Sequence, residues 1–438
     1  MGAFDRERLA MLIQPDRVHR SVYSDPAIFE LEMERIFGRA WLILGHESQV
    51  RSAGDYFTTR MGREPVIVVR HDDGSVRVLI NRCAHRGSTV CAEGRGSTER
   101  FVCPYHGWSY DRGGRLHAMP FESGYAGRLG ELGLQPAPRV ALYRGFVFAS
   151  LAESGPNLED FLGPARASFD DLVDRAPDGE LEVAGGVFKH AYNGNWKLTL
   201  ENHLDGAHPA WVHASSVAVA RGAPDPGAPG EENYYDIAVR QMRQNGAPDA
   251  VWEAVGVWTT PYGHGYLGDY HDDDRLVVGL GNPVFAEYYR TLAAKAGEAE
   301  AKRIVGVTLW NTIIYPNCSF MSQFRQLRIV HPLAVDRSVV YTYSLRMKQA
   351  PPQMFRDTVA FSNVVNGTAS WVLTDDLEVY ERVQRGFSSG AVEWLNVGRE
   401  YGRDVDEANG TRRGGSGTSE IYIRAQMRAW LDYMTTGA

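Results

Sequence analysis

Hydrophobic and polar positions change period several times along the chain, and each change marks an element. Asp25-Pro26 offers a helix cap and a first-turn proline, and Phe29, Met33, Ile36 and Phe37 follow at i, i+4, i+7 and i+8, so an amphipathic helix is predicted over 26–40. Alternation then replaces the helical period. Segments near 56–60, 65–70, 76–81, 99–102, 107–110 and 143–151 are short, rich in β-branched and aromatic residues and separated by Gly-Asp, Asp-Gly and Gly-Gly turns. They predict an all-β module over about 42–155, preceded by a helical lead over 1–41.

Glu153-Ser-Gly-Pro-Asn157 reads as a linker, with Asn157 capping a helix over 158–174. A strand-like region at 180–193 precedes "NWKLTLENHLDGAHPAWVH" (195–213), and "GAPDPGAPG" (222–230) follows as an exposed loop placed to act as a lid. Segments 233–242, 274–280, 305–314, 318–332 and 338–348 carry β-favouring patterns, with a turn at Asp336-Arg337, and predict an antiparallel sheet. After Pro351-Pro352 the pattern predicts one long helix to about 384. The glycine-rich stretch 402–420 reads as a loop, and Ile423, Met427, Trp430, Leu431 and Met434 form a last helical stripe. There is no internal repeat. Strand runs followed by long helices indicate an α+β protein of two domains, the second over 156–438.

Composition changes this picture little. Apolar residues at 44% and a net charge of −8 describe an ordinary globular chain and argue against nucleic acid or an anionic membrane as partner. No apolar run approaches the ~20 residues that span a bilayer, and the N-terminus lacks an uninterrupted apolar core with a cleavage site, so a cytoplasmic location is expected. Met1-Gly2 is a poor acylation signal, because Arg6 stands where Ser or Thr is required. Cysteine usage matters more. Cys83, Cys91 and Cys103 fall within twenty-one residues, a density that points to metal rather than disulfides in a reducing compartment, whereas Cys318 stands alone.

Two stretches carry candidate chemistry. "ENHLDGAHPAWVH" (201–213) holds two carboxylates and three histidines. On a helix Asp205 and His208 share a side while His203 points nearly opposite, and Pro209 bends the chain so that His208 and His213 converge from two segments. The stretch alone is compatible with a metal site or with a solvated helix face. The second stretch is Cys83-Ala-His85-Arg-Gly and then Cys103-Pro-Tyr-His106-Gly-Trp, with seventeen residues between His85 and Cys103. Two loops each offering a thiolate and an imidazole suit either a structural zinc or a 2Fe-2S cluster in which two histidines replace two thiolates on one iron. Zinc fits less well, since Cys2His2 zinc sites pair Cys with Cys and place the histidines on a helix. Cys91 and Cys318 read as small buried side chains.

With C-x-H-R-G and C-x-Y-H-G-W the chain resembles the Rieske non-haem iron aromatic ring-hydroxylating oxygenases, in their large (alpha) subunits. The resemblance covers nearly the whole chain and implies a Rieske domain at about 42–155 holding 2Fe-2S through Cys83, His85, Cys103 and His106. It also implies a helix-grip catalytic domain, with an antiparallel sheet and a long C-terminal helix, holding mononuclear Fe(II). The family pattern D-x2-H-x4-H makes His208 and His213 iron ligands and gives Asp205 the role of linking the iron site to the Rieske histidine of a neighbouring subunit. The third ligand is implied by D-x4-E-x2-Q-x-G, which counts back from Gln384 to Asp376, with Asp375 as the fallback. Of the remaining histidines, His46, His117, His203, His264 and His271 read as structural or exposed.

The implied activity is cis-dihydroxylation of a small aromatic substrate, possibly an aromatic acid, with O2. Electrons would come from NAD(P)H through a separate reductase, with or without a ferredoxin, since no G-x-G-x-x-G unit is present. A monooxygenase or demethylase is the alternative within the fold, and a Rieske electron carrier without turnover is the alternative outside it. The implied assembly is a homotrimer or an alpha3beta3 complex with a small beta subunit. A carboxylate substrate calls for a cation, and Arg221, Arg240, Arg243, Arg325 and Arg328 are the candidates.

Overall fold

Residues 4–92, 94–125, 127, 129–227, 234–270, 279–367 and 370–436 are described in the computed structural model. They form two units, Met33–Leu158 and a larger one made of Met1–Glu32 with Glu159–Ala438.

The smaller unit is built from antiparallel hairpins. Its strands are β1 (Leu42–His46), β2 (Asp55–Met61), β3 (Glu64–Arg70), β4 (Val76–Ile80), β5 (Arg95–Ser97), β6 (Phe101–Val102), β7 (Ser109–Tyr110), β8 (Leu116–Ala118), β9 (Arg139–Tyr143) and β10 (Phe146–Ser150). They make three sheets, in the orders β4-β3-β2-β5, β8-β7-β6 and β9-β10-β1. Met61 pairs with Glu64 across a two-residue turn, and Gly62 there has φ +57°, a conformation that glycine adopts without steric cost. The predicted strand 143–151 shrinks to β10, because Arg144 and Gly145 both take positive φ and reverse the chain after Tyr143, the last residue of β9. The pattern predicts no strand at β1: it is buried throughout, so it shows no alternation to read.

In the larger unit the predicted sheet is present and larger. Strands β11 (Leu181–Tyr192), β12 (Gly256–Thr259), β13 (Gly265–Tyr270), β14 (Val307–Ile314), β15 (Cys318–Met321), β16 (Gln326–Ala334), β17 (Arg337–Met347), β18 (Val405–Asp406) and β19 (Arg412–Arg413) pair antiparallel in the order β11-β17-β16-β15-β14-β13-β12-β19-β18. The helices that matter here are α1 (Pro26–Arg35), α2 (Leu158–Leu162), α3 (Arg166–Asp174), α4 (Trp196–His203), α5 (Pro209–Val212), α6 (Ala214–Gly222), α7 (Tyr234–Asn245), α8 (Pro352–Asn366), α9 (Leu373–Gly386) and α10 (Ile421–Thr435). The α+β class is as expected, and the helix α4 lies against the middle of the sheet.

Four local expectations are corrected. Segment 233–242 is helical from Tyr234 in α7, where Ala238, Val239, Met242 and Asn245 are buried at i, i+1, i+4 and i+7; burial of that stripe overrides the β preference of its aromatic and branched residues. The single strand expected over 318–332 is two strands joined by residues 322–325, with Arg325 at φ +53°. The helix over 158–174 is broken after Leu162, because Gly163 takes φ +47° and Pro164 removes a donor. The long helix from 352 ends at Asn366 and restarts at Leu373, so Asp375 and Asp376 stand in the first turn of α9, where the helix dipole favours negative charge. Residues 228–230 of the expected lid, 274–278 of an expected strand and His271 lie outside the described residues.

A buried polar knot ties the ends of the larger unit to its centre. Glu32 of α1 accepts hydrogen bonds from Lys197 Nζ (2.6 Å) and Trp196 Nε1 (2.9 Å) of α4 and from Trp430 Nε1 of α10 (2.7 Å). Glu32, Lys197, Trp196 and Trp430 are all fully buried. No described helix is long and apolar enough to cross a membrane.

Candidate metal centres

In the smaller unit the two Cys-His loops have the same backbone closure. Cys83 N donates to Ser88 O and Gly87 N to Cys83 O; Cys103 N donates to Trp108 O and Gly107 N to Cys103 O. Gly87 and Gly107 both take positive φ to make the turn, at +75° and +71°. Equivalent loops carry unequal ligands, since the imidazole is the second residue after Cys83 but the third after Cys103. Both thiols are buried, and the His85 and His106 rings meet edge to face with centroids 4.5 Å apart. Trp108 stacks on His85 at 4.9 Å and Tyr110 Oη lies 3.0 Å from Cys83 Sγ. Burial pushes the Cys103 thiol up, but the Tyr105 and His106 N–H groups and the Cys83 thiol outweigh it and hold it below the usual range. His85 Nδ1 is buried with no hydrogen-bond partner among the described residues. Two buried sulfurs, two imidazoles and an orphaned ring nitrogen fit a 2Fe-2S group of mixed ligation.

Cys91 belongs to the same apolar core cluster, its N–H and C=O both bound by the Asn81 side chain. Cys318 is buried in β15, where burial raises its thiol.

In the larger unit α4 ends at His203, and Leu204–His208 turn without helix. The helical-face reasoning for Asp205 and His208 therefore does not apply, because the helix stops two residues before Asp205. His203 is set apart for a different reason: its Nδ1 hydrogen-bonds Ser319 Oγ of β15 at 2.6 Å. Pro209 starts α5, and His213 stands between the end of α5 and the start of α6. The ligand atoms of His208, His213 and Asp376 all lie within 4.8 Å of one another. Asp376 Oδ1 is 3.8 Å from His208 Nε2 and 3.6 Å from His213 Nε2.

Neighbouring groups fix which nitrogen faces inward. Asp375 Oδ2 contacts His213 Nδ1 at 3.2 Å, and Asp205 Oδ2 stands 3.5 Å from His208 Nδ1, looser than a full hydrogen bond. Both rings thus present Nε2 to Asp376. Asp205 is itself braced by the Ala207 N–H at 2.7 Å. Burial raises the Asp376 carboxyl in spite of the two imidazoles, a strain that an added cation relieves. Two imidazoles and one carboxylate on one side suit ferrous iron with open positions. Asn202, to which the sequence reading assigns no role, joins the site, with its Nδ2 3.2 Å from His208 Nε2 and 3.3 Å from Asp376 Oδ1. Its position one residue before the end of α4 carries no signal of this by itself.

These donors border a cavity of about 130 Å³. Of the five candidate arginines only Arg328 lines it; Arg240 and Arg325 line an adjoining cavity, while Arg221 and Arg243 bond the carbonyls of Gly246 and Ala220. His264 is buried, bonded to Phe161 O and Tyr315 N, and held down to about 4 by burial, and His46 is likewise a buried turn residue. His117 is exposed.

Known proteins are similar to this chain over both units. A family model of the Rieske [2Fe-2S] domain matches residues 40–134, and a model of the ring hydroxylating alpha subunit catalytic domain matches 178–435. Toluate 1,2-dioxygenase subunit alpha of Pseudomonas putida is 34% identical over 404 residues, 89% of this chain and 85% of its own. Biphenyl dioxygenase subunit alpha of Paraburkholderia xenovorans is 33% identical over 383 residues, 83% of this chain and 78% of its own. A solved naphthalene 1,2-dioxygenase with indole bound superposes with a TM-score of 0.82 at 27% identity, covering 99% of this chain and 95% of that one. The chain belongs to the family of ring-hydroxylating dioxygenase alpha subunits, with a Rieske [2Fe-2S] domain followed by the catalytic domain.

Proposed function

We propose that this chain is the terminal oxygenase of a multicomponent Rieske system that cis-dihydroxylates an aromatic ring, with electrons from NAD(P)H delivered by a partner reductase, with or without a ferredoxin. The observation that carries this reading is the His208–His213–Asp376 cluster bordering a cavity, in a chain that also holds the paired Cys-His loops. An electron carrier needs only the loops. The relatives' names span an aromatic acid and neutral hydrocarbons, so they leave the substrate's charge open.

Residues 42–155 are then the cluster domain, 1–41 a helical lead packing on the catalytic domain, and 156–438 the catalytic domain. Cys83, His85, Cys103 and His106 hold the cluster, and His208, His213 and Asp376 hold Fe(II). Bound there, the two centres supply one electron each for the reductive activation of O2. Asp375 keeps His213 in the tautomer that frees Nε2, and Asp205 does the same for His208. Apolar walls at Leu373, Val365 and Phe361 exclude water and hold the ring in place. The ring gains both atoms of O2, two electrons and two protons. Asp205 also links the iron site to the Rieske histidine of a neighbouring subunit, in a homotrimer or an alpha3beta3 complex.

The test is product analysis under labelled O2 with a surrogate reductase. A diol carrying two label atoms from one O2 is expected, and a single incorporated atom establishes a monooxygenase instead. With iron supplied in excess, Asp205→Ala should still hold both metals yet lose product; full activity would remove its linking role.

A further inference from the structure

The cavity beside the three donors, about 130 Å³, is on the scale of the roughly 150 Å³ apolar cavity that takes one benzene ring. Phe324 and Phe361 stack in its wall, with centroids 3.6 Å apart and planes 5° from parallel. Into this wall β16 sets a cation. Arg328 is only 6% exposed, and its Nη2 donates to Gln326 Oε1 at 3.0 Å and meets Met321 Sδ at 3.1 Å. Gln326 is held in that orientation by its own Nε2, which donates to Ser362 Oγ at 2.9 Å. Arg328 Nη1, by contrast, is buried with no partner, and among the described residues Arg328 forms no ion pair.

A buried cation with unmet donors is unfavourable by several kcal/mol unless an anion arrives. Burial brings Arg328 down to about 10, which leaves it charged at neutral pH. The basic rings beside it do not compete, because burial and then the Arg328 charge hold His190 at about 4 and His203 well below its usual range. The adjoining cavity shares Gln241, Gln244, Gln323 and the two phenylalanines, and adds Arg240 and Arg325 against the single acid Asp357. An approach lined this way favours an anion on its way in.

We infer that the cavity takes a single aromatic ring bearing a carboxylate, and that Arg328 binds that carboxylate through its unpaired Nη1. This rests on the ring-hydroxylation reading above and settles the charge that reading leaves open.

The test compares benzoate with its neutral isostere benzamide in the purified holoprotein, by calorimetric binding and by labelled-oxygen turnover with a surrogate reductase. The wild type should prefer benzoate, and Arg328→Gln should reduce that preference by about 10- to 100-fold, the equivalent of one charge-assisted hydrogen bond. Arg328→Lys, which keeps the charge but loses the planar fork, should recover part of it, and a thermal melt of each variant separates lost binding from lost folding. Equal binding of benzoate and benzamide, or an Arg328→Gln protein that folds and keeps the preference, overturns the inference while leaving ring hydroxylation intact. Benzoate binding that depends on Arg328 without any labelled product supports the inference and overturns ring hydroxylation.

Discussion

Glu32→Gln removes the charge that faces Lys197 inside the larger unit while keeping the side chain's shape. Lys197 Nζ, 2.6 Å from the carboxylate, is fully buried, so the variant must either hold an uncompensated ammonium or give up its proton. Removing one partner of a buried pair costs about 3–5 kcal/mol. Neutralising a lysine at pH 7 costs at most about 4.6 kcal/mol, which sets the ceiling. With roughly 300 residues melting together at about 2.1 cal/mol/K each, 1 kcal/mol moves Tm by about 1.6 °C, so a loss of about 4 kcal/mol lowers Tm by about 6 °C. The pH dependence is the diagnostic part. Burial depresses Lys197, so without Glu32 the folded variant binds fewer protons than its unfolded chain, and its stability rises with pH by up to about 1.4 kcal/mol per unit below the unfolded pKa. Ionisation of Glu201, whose charge also reaches Lys197, releases a proton in the same direction, so the sign does not depend on which group yields it. Thermal melts of both proteins from pH 7 to 9 measure the gap, which should narrow as pH rises. An unchanged Tm, or a gap of constant size, refutes the reasoning.

Asp375→Asn should weaken iron binding about 10- to 100-fold by loosening His213, as read by competitive metal titration; unchanged affinity would return Asp375 to a dipole-stabilised surface acid. Glu201 is half-buried, hydrogen-bonded to Tyr23 at 2.7 Å and pushed up to about 7, mainly by desolvation. Its folded pKa is raised, so its contribution is complete below the unfolded value and is lost as pH climbs toward 7, on the order of 3 kcal/mol; Glu201→Gln should flatten Tm between pH 5 and 7, and a slope equal to wild type would contradict this. Tyr110→Phe removes the hydroxyl beside Cys83 and should lower the cluster potential by about 40–60 mV, the equivalent of about 1 kcal/mol in a one-electron couple. A redox titration decides it, and no shift would mean that the hydroxyl is not donating to sulfur.

The hairpins of the smaller unit were legible because their turns are written in Gly-Asp, Asp-Gly and Gly-Gly and their strands alternate. Strand β1 was not, since burial on both faces erases the period. Helix α7 misled for the opposite reason: "YYDIAV" is β-favouring by composition, and only packing along one stripe shows it to be helical. At the site, Pro209 announced the bend between His208 and His213, and the count back from Gln384 led to Asp376. The roles of Asn202 and Asp375 depend on contacts across 174 and 162 residues, and nothing local encodes them. Five arginines were equally eligible for the cavity until β16 turned one of them inward.

Two of the three donors of the larger unit flank the short helix α5, and the third comes from the first turn of α9, far along the chain. A metal ion held there is therefore a cross-link between distant stretches of polypeptide, and loading it and completing the fold become one equilibrium. Ligand in hundredfold excess over its dissociation constant adds about 2.7 kcal/mol to stability. Scarcity of iron then acts on the amount of intact protein as well as on its activity, because the unloaded chain is the form in which α9 has least to hold it.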